Sequence, residues 1–445
     1  MSLTAYIRTF FFNCVWLSVL FFSSPWLVWR AVAQGKNRRG WKQKLFGLVP
    51  RSNRESGGKR IWLHAVSVGE VHVLKTLIDE LLAQRDDVQL FISTTTETGF
   101  DRANELFGEQ HQVFFFPFDF SWAIRNVMAR IQPTLLVLAE LELWPNLIHL
   151  AADYGLPVMV ANGRLSKKSY VMYRRFGFVT RPMFGKLTCV ASQTPAYADR
   201  FVGLGCDSEN VTVTGNLKYD SVETDRNNSK SEWCRGIAIG YGFKNDDKVF
   251  VAGSTQIEDE IAAVDAWLAL REPFSELKLI LVPRHPDRIK EIESLLAKND
   301  LKANRRSKSD SIESDILIVD VIGELSGWWG LADVAFVGGS MGSRGGQNMI
   351  EPAAYGVPVC FGPNTANFKE TVDGLLACKA ARVVRDADDL SGFVAEMLNS
   401  PIESEAIGTR ARKYVSLHQG AAGRTVEIVN EFVSTGGKRH LGRAA

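Results

Sequence analysis

The chain has 445 residues, 46% apolar and 23% charged. That composition excludes a disordered protein, and at roughly 100–200 residues per domain the length suggests two domains. Lys and Arg number 52 and Asp and Glu 50, for a formal charge of +2, so no whole-chain basic field marks a nucleic-acid binder. The six cysteines (Cys14, Cys189, Cys206, Cys234, Cys360, Cys378) form no Cys-x-x-Cys pair. A zinc ribbon and a disulfide scaffold are therefore disfavoured, and a reducing compartment is the default.

The N-terminal end is the first notable segment. Residues 9–29 carry no charge and are bracketed by Arg8 and Arg30. The run is long enough to cross a bilayer, with Trp16, Trp26 and Trp29 as interface residues. Asn13 and Pro25 leave an anchor lying in one leaflet as the alternative. Between Arg30 and Arg60 there are ten Lys/Arg (30, 36, 38, 39, 42, 44, 51, 54, 59, 60) against one acid, Glu55. Positive charge stays cytoplasmic, so the remaining chain is expected on the cytoplasmic side of the inner membrane. A cleaved signal peptide is disfavoured, because the basic block follows the apolar run. Residues 1–35 are thus read as anchor and basic flank.

From residue 61 short apolar, β-branched runs alternate with helix-spaced stretches. Strands are expected at 61–65, 88–94, 113–116, 134–140, 157–162, 187–192 and 211–216. The polar stretch 221–232 (SVETDRNNSKSE) is the linker candidate. The pattern then restarts at 249–254, 277–283, 315–320, 333–339, 357–362 and 379–385. Residues 302–311 are expected to be an exposed loop, and 401–433 helical. Near-continuous apolar strands separated by helices imply parallel sheets covered on both faces. The expectation is α/β: two doubly wound Rossmann-like domains, 36–225 and 226–445, facing a cleft. Ligands of such sheets bind at the carboxyl ends of the strands.

Several strand ends carry polar chemistry. After the first strand, Ser67-Val68-Gly69-Glu70 opens a helix, where the dipole favours an ionised carboxylate. Glu70 then either complements the dipole or serves as a base toward an alcohol. The fourth strand ends in Glu140-Leu141-Glu142, two carboxylates on one side if the strand persists, and Pro145 starts a helix. They are a polar strand exit or a functional pair. Lys218 follows the last strand of the first half and either faces solvent or reaches an anion. In the second half, Pro283-Arg284-His285-Pro286 orients a guanidinium suited to phosphate or carboxylate. Gly323-Glu324-Leu325 is either a plain strand-to-helix turn or a backbone site walled by Leu325. Gly338-Gly339-Ser340 and Gly345-Gly346 form loops lean in side chains, whose N–H groups suit phosphate. Glu351 falls one turn into the next helix, placed for a ribose diol. No Gly-x-x-x-x-Gly-Lys-Ser/Thr and no strand-end Asp-x-Asp is present, which disfavours a P-loop NTPase and a metal-dependent sugar-nucleotide enzyme.

The segments HAVSVGE, ELELWPN, TGNLKYD, VPRHPDR, GEL and GGS…RGGQN-x-x-EPAAYGVPV-x-FGPNTANFKE occur in one order. Together, from the anchor to about residue 430, they resemble the 3-deoxy-D-manno-octulosonic acid (Kdo) transferases of lipopolysaccharide assembly. The resemblance implies a GT-B glycosyltransferase that moves Kdo from CMP-Kdo to a lipid A precursor, without metal or cofactor. It implies Glu70 as general base and Glu140 and Lys218 as transition-state stabilisers. It implies donor contacts from Pro283, Arg284, Gly323, Glu324, Leu325, Asn348, Met349, Ile350 and Glu351, and the Gly339-Ser340 loop joins them. The positive charge of the basic residues of 36–54 also suits contact with acceptor phosphates. The chain departs from the family pattern at Gln347 and Gln256, where an amide replaces the usual histidine. The competing readings are a GT-B epimerase, which would not need the anchor, and a membrane-tethered binding protein, which would not need Glu70, Glu140 and Lys218.

Overall fold

Burial on both faces selects the strands. The computed structural model describes residues 3–33, 39–52, 58–308 and 312–435. The chain divides between Ser221 and Val222 into two compact units, Met1–Ser221 with Gln419–Ala445, and Val222–His418. In the first unit the strands are β1 (Lys59–Ala65), β2 (Val88–Thr94), β3 (Gln112–Phe115), β4 (Leu135–Ala139), β5 (Val158–Gly163), β6 (Cys189–Ser192) and β7 (Val211–Val213). They form one sheet in the order β3-β2-β1-β4-β5-β6-β7, parallel throughout. Every residue of β4 is buried, as a strand sandwiched between helices requires. Ile61, Leu63, Leu135 and Val137 pack on one side with the helix Val68–Gln84. Trp62, Leu136 and Leu138 pack on the other with the helices Ser121–Ile131 and Pro145–Asp153.

The second unit repeats the plan with β8 (Lys248–Thr255), β9 (Leu277–Pro283), β10 (Asn304–Arg305), β11 (Ile316–Ile318), β12 (Val334–Val337), β13 (Val359–Phe361) and β14 (Ala381–Val383). Their order is β10-β11-β9-β8-β12-β13-β14, again parallel. In each sheet the chain winds outward from a central pair, β1 beside β4 and β8 beside β12, so the connections leave those pairs on opposite faces.

Four local expectations are corrected. The stretch 302–311 contains the edge strand β10, because Asn304 and Arg305 pair with Leu317 and Ile318; residues 309–311 lie outside the described residues. The polar stretch 221–232 runs into a helix, Ser229–Gly240, which the Asn228 side chain caps by accepting from the N–H groups of Lys230 and Ser231. The final helix, Ala421–Thr435, belongs with the first unit and packs on Val68–Gln84, whereas a sequential partition assigns it to the second. The basic flank is in part internal: Lys44 is buried with its ammonium 4.3 Å from the Phe115 ring centroid, and burial lowers its pKa. Lys36, Arg38 and Arg54 lie outside the described residues.

The Asp220 carboxylate holds the final helix, accepting from the N–H groups of Gly420 (2.5 Å) and Ala422 (2.6 Å). These would otherwise be orphan donors at a helix start. Asp220→Ala is expected to cost about 1–2 kcal/mol locally. Amide hydrogen exchange of the final helix should then quicken by roughly tenfold, while β4 keeps its protection.

Candidate active site

In a doubly wound sheet the place where the winding reverses is open at the carboxyl ends of the strands. In the first unit that place lies beyond β1 and β4. Glu70 stands in the first turn of Val68–Gln84, half-buried. One carboxylate oxygen accepts from the Val66 N–H (2.7 Å) and the other from the Ser67 hydroxyl (3.1 Å). The side chain therefore folds back on its own helix start, as the dipole reading expects. Its pKa nevertheless lies above the ordinary carboxylate value. Burial is the main cause and the Glu140 charge adds to it, against the Val66 and Ser67 hydrogen bonds and Lys218. The dipole alone does not set its ionisation.

Strand β4 stops at Ala139, and Glu140 turns into the left-handed region (φ 55°), its N–H donating to the Ala161 carbonyl (2.9 Å). Glu140 and Glu142 thus do not share a strand face, which corrects the expected alternation. The turn directs Glu140 to Lys218, whose ammonium lies 4.0 Å from the carboxylate. Lys218 is set by a single helical turn, Leu217–Tyr219. Asn216 caps that turn, and the Asn162 side chain ties it down by accepting from the Leu217 N–H.

Glu142, read in the sequence as half of a polar strand exit or a functional pair, has its pKa pushed up to about 7 by burial and by the charges of Glu70 and Glu140. Three carboxylates and one ammonium therefore share this mouth, and one carboxylate titrates near neutrality. His64 is sealed in the sheet against Phe116, and burial lowers its pKa to about 3, so it stays neutral and structural.

In the second unit the winding reverses beyond β8 and β12, with the end of β9 alongside. Pro283 is buried, while Arg284 is exposed and anchored by its N–H to the Thr255 carbonyl (3.1 Å). Asn348 donates its amide to Glu351 (2.9 Å). Burial raises the Glu351 pKa, and Trp329, Lys230 and Arg284 act on it in the opposite sense. The structure thus brings Arg284, Asn348 and Glu351 together and adds Lys230, which carries no local motif. Met349 and Ile350 are fully buried.

Gly323 (φ 93°) has nothing within 4 Å of where a Cβ would stand, so the approach there is open. Glu324 is engaged by the Arg306 guanidinium (3.1 Å) and the Trp328 indole (3.3 Å), and Leu325 begins the helix Leu325–Trp329.

The Gly339-Ser340 loop differs from the expectation. Its N–H groups are not free to cradle phosphate: Gly339 (2.7 Å), Ser340 (3.2 Å) and Met341 (2.9 Å) all donate to the buried carboxylate of Asp259. The Ser340 hydroxyl is spent on the Val337 carbonyl (2.6 Å) and the Gly362 N–H (2.8 Å). Sequence inspection misses this because Asp259 lies about 80 residues upstream, in the first turn of another helix.

Two doubly wound units with polar strand ends define the GT-B fold class. A UDP-GlcNAc 2-epimerase from Neisseria meningitidis, bound to UDP-GlcNAc, matches with a TM-score of 0.58 at 13% identity, over 84% of this chain and 100% of that one, a likeness of fold alone. The profile of the family described as 3-deoxy-D-manno-octulosonic-acid transferase (kdotransferase) matches residues 39–221. A 3-deoxy-D-manno-octulosonic acid transferase of Haemophilus influenzae is 31% identical and aligns over 84% of this chain and 87% of its own length. Another, from Chlamydophila psittaci, is 30% identical over 96% of this chain and 97% of its own. The chain belongs to the 3-deoxy-D-manno-octulosonic acid transferase family, glycosyltransferases of lipopolysaccharide assembly.

Glu70→Gln removes a charge that raises the Glu142 pKa. Carboxyl-carbon NMR of the selectively labelled protein should show Glu142 titrating near neutrality, with its midpoint lower in the variant. An unmoved midpoint would show that the two carboxylates do not interact.

Proposed function

We propose that this chain is an inverting, metal-independent transferase that moves Kdo from CMP-Kdo to a lipid A precursor at the cytoplasmic face of the inner membrane. The observation that carries this reading is the cluster of Glu70, Glu140 and Lys218 at the carboxyl ends of the first sheet, in a Kdo transferase. In the reaction an acceptor hydroxyl oxygen bonds to the anomeric carbon of Kdo. The bond from that carbon to the CMP phosphate oxygen breaks, and its electron pair leaves with CMP. The hydroxyl proton passes to Glu70. Each carboxylate oxygen of Glu70 accepts one hydrogen bond, which leaves lone pairs for that proton. Lys218, with Glu140 beside it, offers a fixed positive charge to the anionic groups of the reaction. Arg284 and Lys230 serve the leaving phosphate, Asn348 and Glu351 the nucleoside, and the open turn at Gly323 admits a close backbone contact. Fixed cations of this kind support transfer without a divalent ion.

The reading is tested with protein in detergent, CMP-Kdo and a lipid A precursor, the product being identified by mass spectrometry. Transfer is expected to persist in a chelator. Glu70→Gln should lower turnover by a factor on the order of 100 or more with CMP affinity nearly unchanged, and Arg284→Ala should weaken CMP. A fully active Glu70→Gln would remove the base assignment. Glu70 must be ionised to act and its pKa is raised, so kcat/KM should fall on the acid side, with an inflection above the ordinary glutamate range.

A further inference from the structure

The N-terminal helix, Leu3–Ala33, is by length and composition apolar enough to cross a membrane. Its first half is nonetheless fastened to the first unit along one stripe. Ala5 and Thr9 are buried. Arg8 pairs with Asp153 (2.9 Å), and Phe12 stacks on His149 (6.2 Å between ring centroids). Asn13 donates to the Ser121 hydroxyl (2.9 Å) and accepts from the Ser121 N–H (3.0 Å). Trp16 donates to Asp119 (3.1 Å), a buried carboxylate that also accepts from the N–H groups of Asn146 and Leu147. Residues 5, 8–9, 12–13 and 16 follow helical spacing, so this is a built contact face. The opposite face exposes Phe10, Phe11, Leu17, Phe21 and Phe22.

The chain beyond the helix returns to the same unit. The Arg39 N–H donates to Glu97 (2.9 Å) and its guanidinium pairs with Asp101 (2.5 Å). A helix that crosses a bilayer has its two ends on opposite sides. Here one end is tied at Arg8, and the chain is tied again at Arg39, six residues past the other end, both times to one unit. The 17 residues beyond Trp16, to Ala33, span about 25 Å, short of the roughly 30 Å hydrocarbon core.

A second element lies alongside. Residues 154–198 contain no Asp or Glu and seven Lys/Arg: Arg164, Lys167, Lys168, Arg174, Arg175, Arg181 and Lys186. The paired helices Lys167–Arg175 and Gly177–Phe184 expose Val171, Met172, Phe176 and Phe178, the last at 81%. This mixture of cations and exposed aromatics suits an anionic headgroup layer. The two elements are contiguous, since His149 stacks on Phe12 and lies within electrostatic reach of both Arg8 and Lys186.

We propose that the first unit rides on a single leaflet of an anionic lipid membrane, its N-terminal helix lying in that leaflet with both ends on the catalytic side and its basic–aromatic helix pair, 167–184, seated in the headgroups. This rests on the membrane reading given above and goes beyond it in topology and in the second contact.

An epitope with a protease site is placed at the N-terminus of the full chain. Protease is added to sealed inverted vesicles and to right-side-out spheroplasts. Cleavage is expected in inverted vesicles only. Cleavage from the periplasmic side overturns the single-leaflet helix while leaving membrane attachment intact. In flotation, the full chain should bind mixed phosphatidylcholine–phosphatidylglycerol vesicles more tightly than pure phosphatidylcholine ones. Arg174→Glu/Arg175→Glu/Phe178→Ser, all at exposed positions, should weaken binding to the anionic vesicles by about tenfold or more. Unchanged binding removes the helix pair from the contact, and an unaltered chain that floats with neither vesicle overturns the membrane reading itself.

Discussion

A parallel strand buried on both faces has no position along its length for a charged side chain, and this constraint organises both units. Leu135–Ala139 and Val334–Val337 are buried without exception. Polar chemistry is displaced to the strand ends, and it concentrates where neighbouring strands send their connections to opposite faces of the sheet. Glu70, Glu140 and Lys218 occupy that position in the first sheet. Arg284, Asn348 and Glu351 gather at its counterpart in the second. What distinguishes the two strand-end clusters follows from which side chains the loops carry, since the sheets have the same plan.

Loops at strand ends leave backbone N–H groups without partners, and carboxylates satisfy many of them. Asp259 takes three N–H groups of the glycine loop, Asp119 takes those of Asn146 and Leu147, and Asp220 takes two at the start of the final helix. Glu70 begins in the same way, holding the Val66 N–H. It differs in standing half-buried beside another carboxylate and an ammonium, so its lone pairs and its charge remain usable. Asp259 is sealed, and its carboxylate is taken up by the loop above it and by the Gln256 N–H at the start of its own helix.

How much of this was legible in the sequence follows from the range of the interactions involved. The strands were legible because burial on both faces writes itself as short apolar runs, and thirteen of the fourteen strands fall where such runs occur. The exception, Asn304–Arg305, is polar and is held by its pairing with Leu317 and Ile318 and by side-chain bonds to Ile312 and Asp320, which lie further along the chain. The places of Glu70 and Arg284 were legible because Arg284 directly follows a strand and Glu70 stands in the first turn of the helix that follows one. The closing of the Gly339-Ser340 loop by Asp259 was not, since it joins residues far apart in the chain. Neither was the near-neutral titration of Glu142, because it depends on two other carboxylates and on burial. The return of the final helix hides for the same reason: it rests on Asp220 and on packing against Val68–Gln84, both far upstream in the chain.

The two amides that replace histidines bear on the pH dependence of transfer. Gln347 lies over the glycine loop, its side-chain nitrogen 3.0 Å from where a Cβ on Gly339 would stand. Gln256 opens the helix Ile257–Leu270, its own N–H donating to Asp259 (2.8 Å), while its side-chain nitrogen is buried without a partner in the protein. An imidazole at either place could gain a proton near neutrality and add positive charge to the donor side; an amide cannot. Among the strand-end groups described above, it is Glu142 beyond β4 that burial and neighbouring charges push up to about 7. The buried amide of Gln256 keeps hydrogen-bond capacity without charge, so the positive charge near Glu351 comes from Arg284 and Lys230.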